Sequence, residues 1–381
     1  MDSATTGSPA PRPVPLRVVS AAAGAVLLLA FVTVGAAVQV LNVGVGLWFT
    51  ELLLFLGIPW VLLRHSGRAP ARATGLSRVS PGSALVGLLA GAFNFPALVV
   101  PLQFLSTSLA PEPVRRMFDQ ARVFEQLEPW ELGAVLAGVV VAAPLCEEFF
   151  FRGLLQKGIS EWLGGRGAVR PLVLTALLFS VLHFDPVGFL ARWELGLLFG
   201  LLSLRTGSLW PGILAHAANN GVSAGLFLAA RGRGEEAPLQ LPQVLVLAAV
   251  GWAGFGLLWL ALRGREAASG EPAQGDGEGA ALPGERPALL RLAAPWLVAG
   301  VLSVGLLFEL DPRGVELNLV DVRGERLEPI PRTEKGPRAS SREALHALRR
   351  QARRGEVPVS LYEERRRAVV EAERAPGPRA P

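Results

Sequence analysis

The segment Leu145-Cys146-Glu147-Glu148-Phe149-Phe150-Phe151-Arg152-Gly153-Leu154-Leu155 puts three ionisable side chains inside a run apolar enough to cross a bilayer. A charge at mid-membrane costs about 2.5–3.5 kcal/mol on insertion scales, so such residues face a protein interior or a water-filled cavity and mark function. On a helix, Glu147 and Glu148 point to different azimuths, whereas Glu148 and Arg152 stand four apart on one face. Glu148 is therefore expected to pair with Arg152, leaving Glu147 available for chemistry. Two further pairs share this i,i+4 spacing: Phe179 with His183, and His216 with Asn220. Hydrolysis of an acyl group needs a base and donors aimed at the developing negative charge, and these side chains supply both.

Other chemistries can be weighed on the same residues. A zinc site assembled from His183, His216 and Glu147 is possible in principle, although the chain has no H-E-x-x-H. Ser180 and Ser223 lack the glycine-rich setting beside a histidine that a serine nucleophile needs. Cys146, the single cysteine, reads as packing and excludes an intrachain disulfide. His216 and Asn220 also fit a bland role, hydrogen bonding between membrane helices.

Composition sets these residues in a membrane. Hydrophobic residues make up 51% and charged residues 18% of the 381 positions, and mean hydropathy is +0.39. A soluble domain of this size carries about a quarter charged residues. The net charge of +5 and isoelectric point near 10.4 come mostly from arginines in loops and in the C-terminal tail. That pattern follows the positive-inside rule and speaks against a nucleic-acid partner. Abundant Arg, Ala, Gly and Pro beside only two lysines suggests a GC-rich bacterial genome.

The elements that must position the polar residues are predicted to be all-α: an eight-helix transmembrane bundle, a ninth span and a small C-terminal polar tail. Residues 1–17 form an N-terminal cytoplasmic tail, and 18–262 the eight-span domain. Its apolar runs are 18–41, 43–63 (holding Glu51), 82–109, 132–155, one starting at Pro171, 187–204 (holding Trp193 and Glu194), 209–230 and 241–262. The third is interrupted by Asn94, Pro96 and Pro101, which predicts a kink. Residues 111–131 read as an amphipathic connection at the outer surface, and 263–288 as a flexible linker. The ninth run is 289–308. Residues 309–381 form a polar tail or small domain, with an alternating stretch at 315–320 and charged helical segments near 341–354 and 361–374.

The set E-E-x-x-x-R (Glu147, Glu148, Arg152), F-x-x-x-H (Phe179, His183) and H-x-x-x-N (His216, Asn220), in this order on separate spans, resembles the CPBP family of intramembrane glutamic endopeptidases. That family comprises the type II CAAX prenyl proteases and their bacterial relatives. The resemblance covers residues 132–230 by motif and the eight-span core by architecture; nothing carries over to the linker, ninth span or tail. It implies a peptidase cavity inside the bundle, with Glu147 and His183 activating a water and His216 and Asn220 stabilising the oxyanion. Glu148, restrained by Arg152, would position a histidine or the water, and Phe179 would give structural support. No metal or cofactor is implied. The expected partners are a peptide or membrane-protein substrate and the lipid bilayer, at a multi-pass location in the cell inner (cytoplasmic) membrane. Prenylation of the substrate and the oligomeric state are left open. The alternatives are a zinc-dependent intramembrane peptidase and a non-proteolytic immunity or scaffolding protein.

The arginine distribution predicts that the N-terminus and the segments 64–81, 156–170 and 263–288 are cytoplasmic, and that the tail lies on the other side. Cysteine-accessibility labelling, with Cys146 replaced by alanine, checks this. Labelling of the 64–81 loop only from outside would overturn the scheme, and a protected tail would remove the ninth crossing.

Overall fold

A computed structural model of the chain describes residues 13–118, 127, 129–165, 167–233, 239–263, 289–327 and 339–374. The expected linker, most of the N-terminal tail and much of the 111–131 connection lie outside the described residues. All regular structure among the described residues is helical. Twelve longer helices follow in order: α1 Leu16–Leu41, α2 Val43–His65, α3 Pro81–Leu109, α4 Pro129–Trp162, α5 Val169–Val181, α6 Phe189–Thr206, α7 Trp210–Arg233, α8 Leu241–Arg263, α9 Leu289–Leu310, α10 Pro312–Leu327, α11 Ala339–Arg354 and α12 Val359–Arg374.

Six of these, α1 to α4, α7 and α8, are long and apolar enough to cross a membrane, and the chain is a multi-pass membrane protein. The count of eight is not reproduced. The run starting at Pro171 stops after the 13 residues of α5, only about 20 Å at 1.5 Å per residue against a hydrocarbon core of about 30 Å. The 18 residues of α6 include Arg192, Glu194 and Arg205, too many charges for an unaided span. The two helices pack on each other as a hairpin, with Leu174, Leu177 and Leu178 of α5 and Leu201 and Leu204 of α6 exposed at its surface. The ninth run forms α9, which bends by 104° at Asp311 into α10; this pair brings the number of spans to seven if it is taken as one.

Small residues let these helices approach closely, as interfaces lacking a hydrophobic driving force require. Gly87 and Gly91 on α3 lie so close to Pro211 and Ala215 on α7 that a Cβ at either would meet backbone. Gly251 on α8 meets Ala97 in the same way, and Gly196 on α6 meets Ala176 on α5. The interruption expected at Asn94 and Pro96 takes the form of a π-helical stretch, Phe95–Val99. Similar stretches occur at Phe31–Gly35 in α1, Thr50–Gly57 in α2, and Gly138–Ala142 and Phe149–Leu155 in α4. One large core cluster joins α1, α2 and α4, with Leu27, Leu54, Ile58, Phe149 and Leu154 inaccessible to solvent.

The described residues of the tail form helices that pack together. The alternating stretch at 315–320 is not extended but lies in α10, where Leu317 and Val320 pack with Leu348, Ala352, Val357 and Tyr362 of α11 and α12. The Tyr362 hydroxyl donates to Asp321 at 2.6 Å, and burial pushes its phenol pKa up, which keeps it a donor. Arg349 and Arg366 complete the cluster around Asp321. The tail docks on the bundle through the Asn318 amide, which donates to the Leu41 carbonyl at 2.6 Å, and through Arg353, which bridges Glu131 and Asp311.

Gly91→Val should destabilise the bundle by about 1–3 kcal/mol or more, because the added carbons meet the Ala215 backbone next to His216. Gly24→Ala, whose Cβ falls in open space in helix α1, should be neutral or stabilising by about 0.5–1 kcal/mol. Thermal unfolding in detergent reads both; equal melting of the two variants would contradict the close α3–α7 approach.

Candidate active site

The two glutamates sit where α4 changes its winding. Residues 143–148 are α-helical between two π-helical stretches, an arrangement that often marks functional positions in helices. Pro144 supplies no N–H, so the Val139 carbonyl, which would receive that N–H in a π-helical turn, lacks its backbone donor. It accepts instead from the Asn220 amide of α7, at 2.8 Å. A gap in one helix thus fixes a polar side chain of another.

Glu148 and Arg152 form the expected pair. Arg152 Nη1 lies 2.7 Å from Glu148 Oε1, and both side chains are fully buried. Arg152 Nη2 donates to the Gly196 carbonyl of α6 at 2.9 Å, and its guanidinium carbon lies 4.6 Å from the Phe179 ring centroid and 5.4 Å from that of Phe199. Such cation–π contacts are stronger in a desolvated site. The same Glu148 oxygen lies 3.1 Å from His216 Nδ1, so Glu148 holds both the arginine and the imidazole. His216 stacks on Phe199 with centroids 4.7 Å apart.

With Nδ1–H committed to Glu148, His216 turns Nε2 towards Glu147, whose Oε2 is 4.0 Å away, too far for a direct hydrogen bond. That Glu147 oxygen is buried and has no hydrogen-bond partner. His183 follows α5 in the turn 182–188 and is exposed, with Nδ1 2.8 Å from the Phe179 carbonyl. A carbonyl can only accept, so Nδ1 carries the proton and Nε2 keeps its lone pair. The rings of His183 and His216 lie 5.0 and 5.9 Å from that of Phe179. The structure therefore brings Glu147, Glu148, Arg152, Phe179, His183 and His216 together. Asn220 stands one helical turn beyond His216, with one amide N–H given to Val139, which matches the interhelical bond foreseen as its bland role. Cys146 is core packing.

Residues 129–222 match the family described as type II CAAX prenyl endopeptidase Rce1-like. Over this segment the chain is similar to that family. The match ends two residues beyond Asn220 and so takes in all three motifs. No curated protein and no solved structure matches the chain.

The matched segment also gathers residues that motif reading missed. Asp185 Oδ1 accepts from the Val187 and Gly188 N–H groups at 2.9 and 3.1 Å and so shapes the turn after His183. Arg192 pairs with Asp185. Phe199, which cages both Arg152 and His216, stood in an apolar run and carried no signal at all. Asn219, buried beside Asn220, donates to its side-chain oxygen at 3.3 Å. Outside the matched segment, Glu51 of α2 is buried within electrostatic range of Glu147, with one carboxyl oxygen unpartnered. Among the described residues no group of three or more His, Cys, Asp or Glu side chains is placed to hold a metal ion.

Breaking the buried pair should cost about 3–5 kcal/mol, because one charge is left uncompensated. Arg152→Ala and Glu148→Gln should each lower the melting temperature in detergent, and Glu148→Gln with Arg152→Met together should recover part of the loss. Wild-type melting of Arg152→Ala would contradict the role of the pair in stability.

Proposed function

We propose that the chain is an intramembrane glutamic endopeptidase that hydrolyses a peptide bond within its helical bundle. The observation that carries this reading is the division of labour between adjacent carboxylates: Glu148 binds Arg152 and His216 through Oε1, whereas Glu147 Oε2 only faces His216 Nε2 at 4.0 Å; Oε2 of each carboxylate is buried without a hydrogen-bond partner. Glu147 has the freedom a base needs, and Glu148 does the positioning.

In this mechanism a water lies between Glu147 and Nε2 of His183. Its oxygen bonds to the scissile carbonyl carbon as its proton passes to Glu147, and the carbonyl π electrons move to oxygen. The tetrahedral intermediate collapses by breaking the C–N bond, and Glu147 returns the proton to the leaving amine. The second Asn220 N–H is a donor assigned to the oxyanion, and His216, whose Nδ1–H is held by Glu148, joins it from Nε2 in its doubly protonated form. The chemistry consumes one water and needs no other reactant. The substrate is a peptide or membrane protein, for which a prenylated CAAX peptide is the first probe because of the family match. The location is the cytoplasmic membrane.

Glu147→Gln should abolish cleavage of such a peptide by purified protein without lowering the melting temperature. Prolonged treatment with a metal chelator should leave the wild-type rate unchanged. Loss of activity on chelation with recovery on adding zinc would replace this mechanism by a zinc-dependent one, and a Glu147→Gln chain that matches the wild type in cells would favour a non-proteolytic role.

A further inference from the structure

The hairpin of α5 and α6 has both ends at one face of the bundle, the face where the N-terminus lies. There α4 finishes beside the start of α1, with the Arg17 N–H donating to Glu161, and α5 follows after a short connection. The turn after α6 is tied to the segment that follows α2, through Leu209 N–H on the Gly75 carbonyl and the Ser208 hydroxyl on the Ser77 carbonyl. The tip of the hairpin, residues 182–188, therefore reverses inside the bundle. Its depth follows from two helices. Glu147 stands 15 residues before Trp162, the last of α4, and Phe31, on which Phe184 of the tip stacks, 15 residues after Leu16, the first of α1. Each is about 20 Å from that face.

The tip is open on its far side. His183, Phe184 and Pro186 are exposed, Phe184 to 54%, and Phe184 holds φ of 51°, a conformation that a bulky residue rarely takes and that clusters at functional sites. Beyond the tip the neighbouring helices diverge. In α7, Ile213, Ala215, His216 and Asn219 are buried, whereas no residue from 221 to 230 is. A Cβ at Gly221 would meet only Val140 of α4, at 3.8 Å, and one at Gly225, a turn further on, would meet nothing within 4 Å. Val141 of α4 is 63% exposed. The two helices thus touch where Asn220 donates to the Val139 carbonyl and separate past that point. The gap has apolar walls at Phe31, Phe184, Val140 and Val141, and a polar floor where His183 is exposed and Glu147 Oε2 has no partner.

We propose that this gap is the substrate groove, and that its occupant is an apolar membrane-spanning segment of a protein substrate, which enters sideways from the lipid and presents a bond near its middle to Glu147. The proposal rests on the peptidase reading above and names its substrate class. A spanning segment already lies at this depth with its side chains out of water, whereas a water-soluble peptide would have to carry polar backbone groups into an apolar gap. At the floor the segment has to unwind, because the carbonyl of a helical residue is engaged in its own helix, and irregular backbone is tolerated at this depth where it lies against protein. A glycine near the middle of the segment favours that unwinding.

The test uses the full chain in liposomes with two probes. One is a set of Lys-flanked peptides whose apolar core of about 20 residues carries a glycine among mixed residues at its centre; the other is a prenylated CAAX peptide. Wild type should cut the spanning peptides, at bonds that mass spectrometry places in the central third of the core. Gly225→Trp and Val141→Trp, one on each wall, should each lower kcat/KM for these peptides by about tenfold or more at an unchanged melting temperature. Leu245→Trp in α8, at a side chain 60% exposed, should match wild type. Cleavage of the CAAX peptide alone, cuts at the ends of the core, or wild-type rates in both wall variants would overturn the proposal, as would losses of rate in both that follow losses of melting temperature. Glu147→Gln, run in parallel, separates the two readings. Spanning peptides still cut by Glu147→Gln overturn the glutamate mechanism and leave the groove standing, whereas Glu147-dependent cleavage of the CAAX peptide beside intact spanning peptides overturns this inference alone. A wild-type chain that cuts neither probe counts against both.

Discussion

A carboxylate and a guanidinium buried side by side are the constraint around which this bundle is arranged. Removing the Glu148–Arg152 pair from water costs several kcal/mol per ion, which attraction offsets only when the remaining donors and acceptors are also satisfied. The structure meets part of that condition with groups from three other helices, the Gly196 carbonyl from α6, His216 from α7, and the rings of Phe179 and Phe199 from α5 and α6, while Glu148 Oε2 and Arg152 Nε stay buried without a hydrogen-bond partner. Each of these groups has to be in place for the pair to be tolerated. The same interactions orient His216 towards Glu147, so the condition that stabilises the pair also builds the site.

Backbone geometry makes that convergence possible. Arg152 can reach Gly196 because α6 packs closely on α5, where Gly196 faces Ala176 with no room for a side chain. His216 lies next to Ala215, the residue held against Gly91 of α3. The π-helical stretches flanking residues 143–148 change the winding of α4 on both sides of the glutamates, and Pro144 frees a carbonyl that anchors Asn220. Tight small-residue contacts and irregular winding therefore serve one end: to bring polar groups from several helices to one place without leaving backbone groups unpaired.

Much of this was legible in the sequence, and the misses have physical causes. The i,i+4 spacing of Glu148 and Arg152 encodes a contact within one helix, so it could be read directly. The apolar runs of α1 to α4, α7 and α8 identified six spans, whereas α5 is too short and α6 too charged to meet the same measure, although both leave apolar side chains exposed. Arg192 escaped notice because its partner Asp185 lies across a turn at a spacing of seven, which no helical periodicity reveals. Phe199 and Gly196 act through tertiary contacts, and among so many apolar residues their type carries no information. The alternating pattern at 315–320 became helix because Leu317 and Val320 find their partners in α11 and α12, and tertiary burial outweighs a short local pattern.

The tail shows how such a chain can use arginine in two ways. Arg349, Arg353 and Arg366 belong to internal ion pairs with Asp321, Glu131 and Asp311, so they contribute to folding and docking rather than to the excess of free positive charge that orients short loops. Geometry gives an independent indication of sidedness. Along α9, Trp296 lies against Gly57 of α2 and Gly300 against Val34 of α1, and α10 then places Asn318 on the carbonyl of Leu41, the last residue of α1. The helix therefore runs in the same direction as α1 and delivers the tail to the end where α1 finishes. Glu131, in the first turn of α4, meets Arg353 at that same end, as it must if α2 and α3 are both full crossings. Two contacts from separate helices thus support placing the tail on the face opposite the N-terminus, above the start of the helix that carries the glutamates.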